Sequence, residues 1–158
     1  MKAATISELK KELSNRPPKE LLELCLHLSK FKKENKELLT YLLFEATDEN
    51  GYIESIKREI DYEFEQINTK SFYYIKKSIR KILRTIKKYI RYSKKKETEV
   101  ELLIYFCTQL KDFTPSIRRS IALHNLYQRQ IQMINKSIAH LDEDLQYDYG
   151  VELENLDF

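Results

Sequence analysis

The side chains best equipped for chemistry in this chain are three histidines, a run of glutamates, and a ladder of arginines and lysines set among tyrosines. His140 and Asp144 stand four residues apart with Glu143 beside them. That spacing on a helix could present two metal ligands, but a closed site needs more converging groups, so a solvated polar cluster is expected. His27 falls between Leu26 and Leu28, and His124 falls in an isoleucine-rich stripe. Either could serve as a general base, since histidine as a residue type titrates near neutrality. No serine or cysteine nucleophile adjoins either one, so packed or rim positions are expected. Glu54, Glu59 and Glu63 share a helix with Lys57 and Arg58 between them. Paired carboxylates do acid–base work where their environment splits their pKa values, and an exposed acidic face does not split them. Gly51 and Gly150 are the only glycines, too far apart for a phosphate-cradling loop or a dinucleotide fingerprint. No Cys-x-x-Cys and no His-Glu-x-x-His occurs. The expectation is a protein that is not an enzyme, with no catalytic residue, cofactor or metal.

The ladder is more specific. Between Glu65 and Glu97 there are twelve basic residues and not one acid. Arg80, Arg84, Lys87 and Arg91 form a row about a turn apart, with Lys77, Lys81 and Lys88 flanking it and Tyr73 on the same side. In the same stretch Phe72, Ile75, Ile79, Ile82, Ile86 and Tyr89 recur every three or four residues, which is helical periodicity with a buried side opposite the cations. Three outcomes suit such a face. It could neutralise nucleic-acid phosphates, with Tyr73 or its neighbours stacking bases and a log–log salt slope of about −0.9 per phosphate on duplex DNA. It could dock an acidic protein or an anionic membrane surface, where each cation contributes roughly 1 kcal/mol. Or it could be solvated, or paired internally with the acidic helix before it or the acidic tail.

These residues need long helices to position them. Thr5 and Glu8 have capping-box spacing, so a short helix is expected over about 5–14. Pro17-Pro18 restarts the chain, and a second helix runs to about Phe31 with Leu21, Leu24, Cys25 and Leu28 on its stripe. A polar break at Lys32–Lys36 precedes Leu38, Leu39, Leu42 and Leu43. Asp48–Gly51 reads as a turn. Ile53, Ile56, Ile60, Phe64 and Ile67 then mark a helix acidic on its outside, broken at Asn68–Ser71 and followed by the basic helix. Ser93–Glu97 reads as a charged loop, with Thr98 and Glu101 as a second capping box. The helix after it is apolar on most sides and belongs at the centre. Thr114-Pro115-Ser116 opens the last long helix, with a stripe of Ile117, Ile121, His124, Ile131, Ile134, Ile138, Leu141 and Leu145, and Gly150 ends or loosens it. No alternating strand pattern occurs. The expected fold is all-α: six or seven helices paired as antiparallel hairpins (about 18–46, 52–92 and 97–145) in a single bundle, or alternatively a short helical-repeat-like superhelix.

A chain of 158 residues with 42% hydrophobic content suits one globular domain, and its 34% charged content suits slender helices with solvated outer faces. The net charge of +3 conceals the basic helix and an acidic tail, 142–158, with seven acids and no base. Cys25 and Cys107 sit on apolar stripes and read as buried free thiols of a reducing compartment. No apolar signal segment opens the chain, and the longest apolar run, Leu102–Cys107, cannot span a membrane. A cytoplasmic location is expected.

Two resemblances follow. Ile6-Ser7-Glu8-Leu9-Lys10 with Pro18-Lys19-Glu20-Leu21-Leu22 faintly resembles the helix–turn–helix of SAP-type DNA-binding modules. The turn, however, is Asn15-Arg16-Pro17-Pro18 rather than the glycine-and-lysine one, so no binding residues carry over. Leu9-Lys10-Lys11, Pro17-Pro18-Lys19-Glu20-Leu21-Leu22 and Glu97-Thr98-Glu99-Val100-Glu101-Leu102-Leu103 resemble small all-helical bacterial proteins of unknown function, which implies the helical fold and no activity. The expected function is that of a non-catalytic binding or scaffold module. Its basic face, 76–91, would engage an acidic protein or nucleic acid. The alternatives are a nucleic-acid-binding protein and a structural homo-oligomer whose basic face is merely solvated.

Overall fold

The computed structural model describes residues 1–158. The chain is all-helical, with eight α-helices, one π turn, one 3-10 turn and no strand. The count exceeds the expected six or seven because the stretch expected as one last long helix divides, leaving Glu143–Glu154 as a helix of its own. By contact the chain divides into two compact units, 1–44 and 45–158.

The first unit holds α1 (Ile6–Ser14), α2 (Pro18–Phe31) and α3 (Lys33–Thr40). The Thr5 capping box forms: Glu8 N–H donates to Thr5 Oγ1 at 3.3 Å and Thr5 N–H donates to Glu8 Oε2 at 2.7 Å. Those bonds favour the ionised carboxyl, so the Glu8 pKa is lowered. The polar break shrinks to Lys32 alone, which is extended (φ −140, ψ 150), while Lys33–Lys36 are already helical. Asn35 closes the corner by donating from Nδ2 to Leu28 O at 2.8 Å. α2 packs on α3. Most of the apolar side chains of α1 and α2 remain exposed, among them Ile6, Leu9, Leu13, Leu24, Leu28 and Phe31. Cys25 is exposed too, contrary to expectation, because α2 is apolar around more of its circumference than one neighbouring helix can cover.

The second unit begins at Glu45, the last residue of a π turn, Tyr41–Glu45. Its helices are α4 (Glu49–Glu65), α5 (Phe72–Ser93), α6 (Lys96–Lys111), α7 (Ile121–Ile138) and α8 (Glu143–Glu154). The turn expected at Asp48–Gly51 lies one step earlier. Asp48 is the N-cap and accepts the Gly51 N–H at 3.0 Å, so Glu49–Gly51 are the first turn of α4. The five-residue loop expected after α5 is two residues, Lys94 and Lys95, with Lys94 in the left-handed region at φ 61. Thr98 therefore lies inside α6 and is no cap. It is buried, and its hydroxyl donates to Glu49 Oε1 at 2.7 Å, where Ser93 Oγ also donates. One carboxylate thereby ties the start of α4 to the α5–α6 corner. α6 packs on α4, α5, α7 and α8, and Val100, Leu102, Leu103, Phe106, Cys107 and Leu110 are fully buried. An all-round apolar helix requires that central position.

Thr114–Ser116 does not open α7. The Thr114–Pro115 peptide is cis, Ile117–Arg119 is a 3-10 turn, and α7 starts at Ile121 behind the N-cap Ser120. The extended Ser120 resets the helical phase. Ile117 enters the core from the 3-10 turn, Ile121 is 82% exposed, and the buried stripe becomes Leu123, Leu126, Tyr127, Gln130, Ile134 and Ser137. α7 stops at Ile138, and the acidic stretch carries α8, which packs on α7 and α6. Gly150 sits inside α8 and does not end it. The last residues fold back on α6 and α7: Tyr127 OH donates to Leu156 O, Lys111 Nζ donates to Asn155 O (2.6 Å) and Asp157 O (2.9 Å), and the Phe158 ring stacks on Tyr127 with centroids 5.0 Å apart. No helix is long and apolar enough to cross a membrane.

Candidate binding face on helix α5

The face is set by how α5 is held from behind. Ile75, Ile79, Ile82, Leu83, Ile86 and Ile90 are buried, against α6 and α4. Two tyrosine bonds fix its C-terminal half to α4: Tyr52 OH donates to Tyr89 O at 2.9 Å, and Tyr89 OH donates to Glu59 Oε1 at 3.1 Å. With the apolar side anchored, Lys77, Arg80, Lys81, Arg84, Arg91 and Tyr73 point outward and are exposed. Tyr73 and Arg91, eighteen residues apart, mark the ends of a strip about 27 Å long at 1.5 Å per residue.

Lys87 and Lys88 are half-buried rather than fully outward. Lys88 Nζ lies 5.3 Å from the Tyr89 ring centroid. Lys87 Nζ donates to Met133 Sδ of α7 at 3.5 Å. Burial pushes its pKa down, Glu99 pulls it back up, and nearby Arg129 adds to the depression.

Two acids of the preceding helix, Glu54 and Asp61, are engaged elsewhere, while Glu59 meets Tyr89 of α5 itself. Glu54 and Glu101 hold Lys57, at 3.2 and 2.9 Å. Burial opposes the Lys57 charge, but these two carboxylates more than offset it and its pKa is raised. Asp61 accepts from Tyr105 OH at 2.7 Å, and Glu97 accepts from Tyr149 OH at 3.2 Å. Lys77, Arg80, Lys81, Arg84 and Arg91 are not among the cations of the ion pairs in this unit.

Sequence reasoning missed the neighbouring half of this surface. A groove of about 370 Å³ runs between α5 and α7. Leu83, Leu126 and Met133 supply its apolar lining, and Lys87, Arg129 and Lys136 its cations. Gln130 also lines it. It is 3% exposed, donates from Nε2 to Leu126 O at 3.1 Å, and leaves Oε1 without a donor. The signal was present as Arg129, Met133 and Lys136 at helical spacing, but only proximity to Lys87 gives it meaning.

The other candidates stay apart from this face. His27 is exposed on the α1–α2 side, where it lines a groove with Leu24 and Glu23. His124 is half-buried, stacked on the Phe158 ring at 6.2 Å, with its Nδ1 unpartnered. His140, Glu143 and Asp144 are exposed, and no group of three or more His, Cys, Asp or Glu side chains could hold a metal ion. Burial pushes the Cys107 thiol up to about 12, which keeps it protonated and unreactive. Comparison with protein-family models, with curated proteins and with solved structures finds no match for this chain.

Proposed function

We propose that this chain is a non-catalytic binding or scaffold module that uses the outer face of α5, residues 76–91, to engage an acidic macromolecule. The observation that carries the reading is a helix packed from behind whose exposed cations Lys77, Arg80, Lys81, Arg84 and Arg91 enter no ion pair within the chain. Such an array raises the local potential, steers anionic partners and releases their counterions on contact. In this reading the second unit is a bundle of antiparallel helical hairpins whose task is to hold α5 still, and its free thiols suit a reducing, cytoplasmic compartment.

The test is fluorescence anisotropy with labelled single-stranded RNA, duplex DNA and polyglutamate, at low and near-physiological salt. The comparison is with a folded variant carrying Arg80→Glu, Arg84→Glu and Arg91→Glu. Binding that falls steeply with salt and is lost in the variant supports the reading. Absence of binding to every probe at low salt, or equal binding by the variant, overturns it.

A second reading is carried by the first unit. Ile6, Leu9, Leu13, Leu24, Leu28 and Phe31 are exposed on short helices that cannot bury them alone. Homo-oligomerisation through α1 and α2 would cover them. Sedimentation would then show a mass that rises with concentration, is indifferent to salt, and reverts to monomer on Leu24→Glu with Leu28→Glu.

A further inference from the structure

We propose that the groove between α5 and α7 is a nucleobase slot, and that the acidic macromolecule is therefore a single-stranded nucleic acid. This rests on the binding reading above and narrows it. The slot pairs two chemistries that few ligands combine. Its lining of Leu83, Leu126 and Met133 suits a flat apolar ring, and a thioether adapts to irregular aromatic surfaces. Its cations, Lys87, Arg129 and Lys136, suit an anion attached to that ring. A nucleotide is such a ligand, and only an unpaired strand can turn its base outward.

Two further observations favour a base over an acidic peptide. Gln130 is nine-tenths buried in the groove wall with an acceptor that no donor satisfies. Unmet buried acceptors are costly, and a ring N–H or an exocyclic amine would supply the missing donor once the Gln130 side chain turns toward the groove. At the other end of the strip, Tyr73 is 66% exposed and packs edge-to-face on Tyr74 with centroids 5.3 Å apart. Exposed aromatic rings beside arginines make a stacking platform. Lys87 belongs both to the row with Arg80, Arg84 and Arg91 and to the slot, so a strand tracking the row passes the groove mouth.

The test compares labelled oligonucleotides of one length, one bearing uracils and one abasic, by anisotropy on the full chain at fixed salt. The base-bearing strand should bind at least tenfold tighter. Met133→Ala and Gln130→Leu should erase that ratio while leaving abasic affinity within about twofold. Gln130 is buried, so if its variant does not fold, Met133→Ala decides. Equal affinity for the two strands, or a ratio that survives Met133→Ala, overturns the slot while leaving the charge-based reading intact. Binding to polyglutamate with none to either strand also overturns the slot and assigns the face to an acidic protein. No binding to any probe at low salt overturns both.

Discussion

Glu8 and the two cysteines show how local environment alone sets chemical behaviour. Glu8 accepts the Thr5 N–H, and its pKa is lowered by that bond and by the Thr5 hydroxyl. A lowered folded-state value stabilises the cap above the ordinary carboxylate range, and that contribution is lost as pH falls through the depressed value. An NMR titration of the full chain should place the Glu8 midpoint below an ordinary glutamate, and Thr5→Ala should raise it only part of the way back, because the main-chain N–H of residue 5 still donates to the carboxylate. The cysteines divide differently from their sequence surroundings. Both sit among leucines or phenylalanines, yet Cys25 is exposed, while Cys107 is fully buried with its pKa near 12. Thiol titration with a chromogenic disulfide should modify one thiol per native chain near pH 8 and two after denaturation. Flanking residues cannot report such a difference, because it depends on how many helices press on each side of the one that carries the thiol.

At the level of elements, the two glycines make different predictions from the same propensity scale. Both lie inside helices, where alanine is favoured over glycine by about 1 kcal/mol. Gly150 has open space around it, so Gly150→Ala should raise stability by about 0.5–1 kcal/mol in urea unfolding. At Gly51 an added Cβ would fall 2.3 Å from Asp48 Oδ2, in the side chain that caps α4. Gly51→Ala should forfeit that gain, because displacing the cap costs about 1 kcal/mol and offsets the propensity term, read by the same denaturation. Helix identity was legible because the 3.6 period is strong in α5 and present in α4, whereas α6 is apolar on most sides and reads as a helix by its length. Boundaries were less so. Thr98-x-x-Glu101 has the spacing of a capping box, but its hydroxyl goes to Glu49, a residue forty-nine positions earlier. Ser120, not Thr114, caps α7, and no local pattern separates two such plausible starts.

Across the whole molecule, stability concentrates around α6. Phe106 is fully buried and meets the Phe64 ring edge-to-face at 5.9 Å. Phe106→Ala should cost about 3–5 kcal/mol, seen as a lower denaturation midpoint by circular dichroism. The basic half of the candidate site was readable from sequence because its cations are consecutive on one helix with no acid among them. The α7 half was not, since Arg129, Met133 and Lys136 acquire meaning only beside Lys87, more than forty residues away. The same separation governs the corner at Glu49. Its carboxylate is a hub for Ser93 and Thr98, and Lys95 Nζ lies 3.5 Å from it. On the ribosome α4 emerges with that acceptor bare, and its donors follow about 2–10 s later at ~5–20 residues per second. Until Thr98 clears the exit, α4 and α5 meet without the corner that holds them. The order of synthesis thus leaves the basic helix exposed to its surroundings before the second unit can lock.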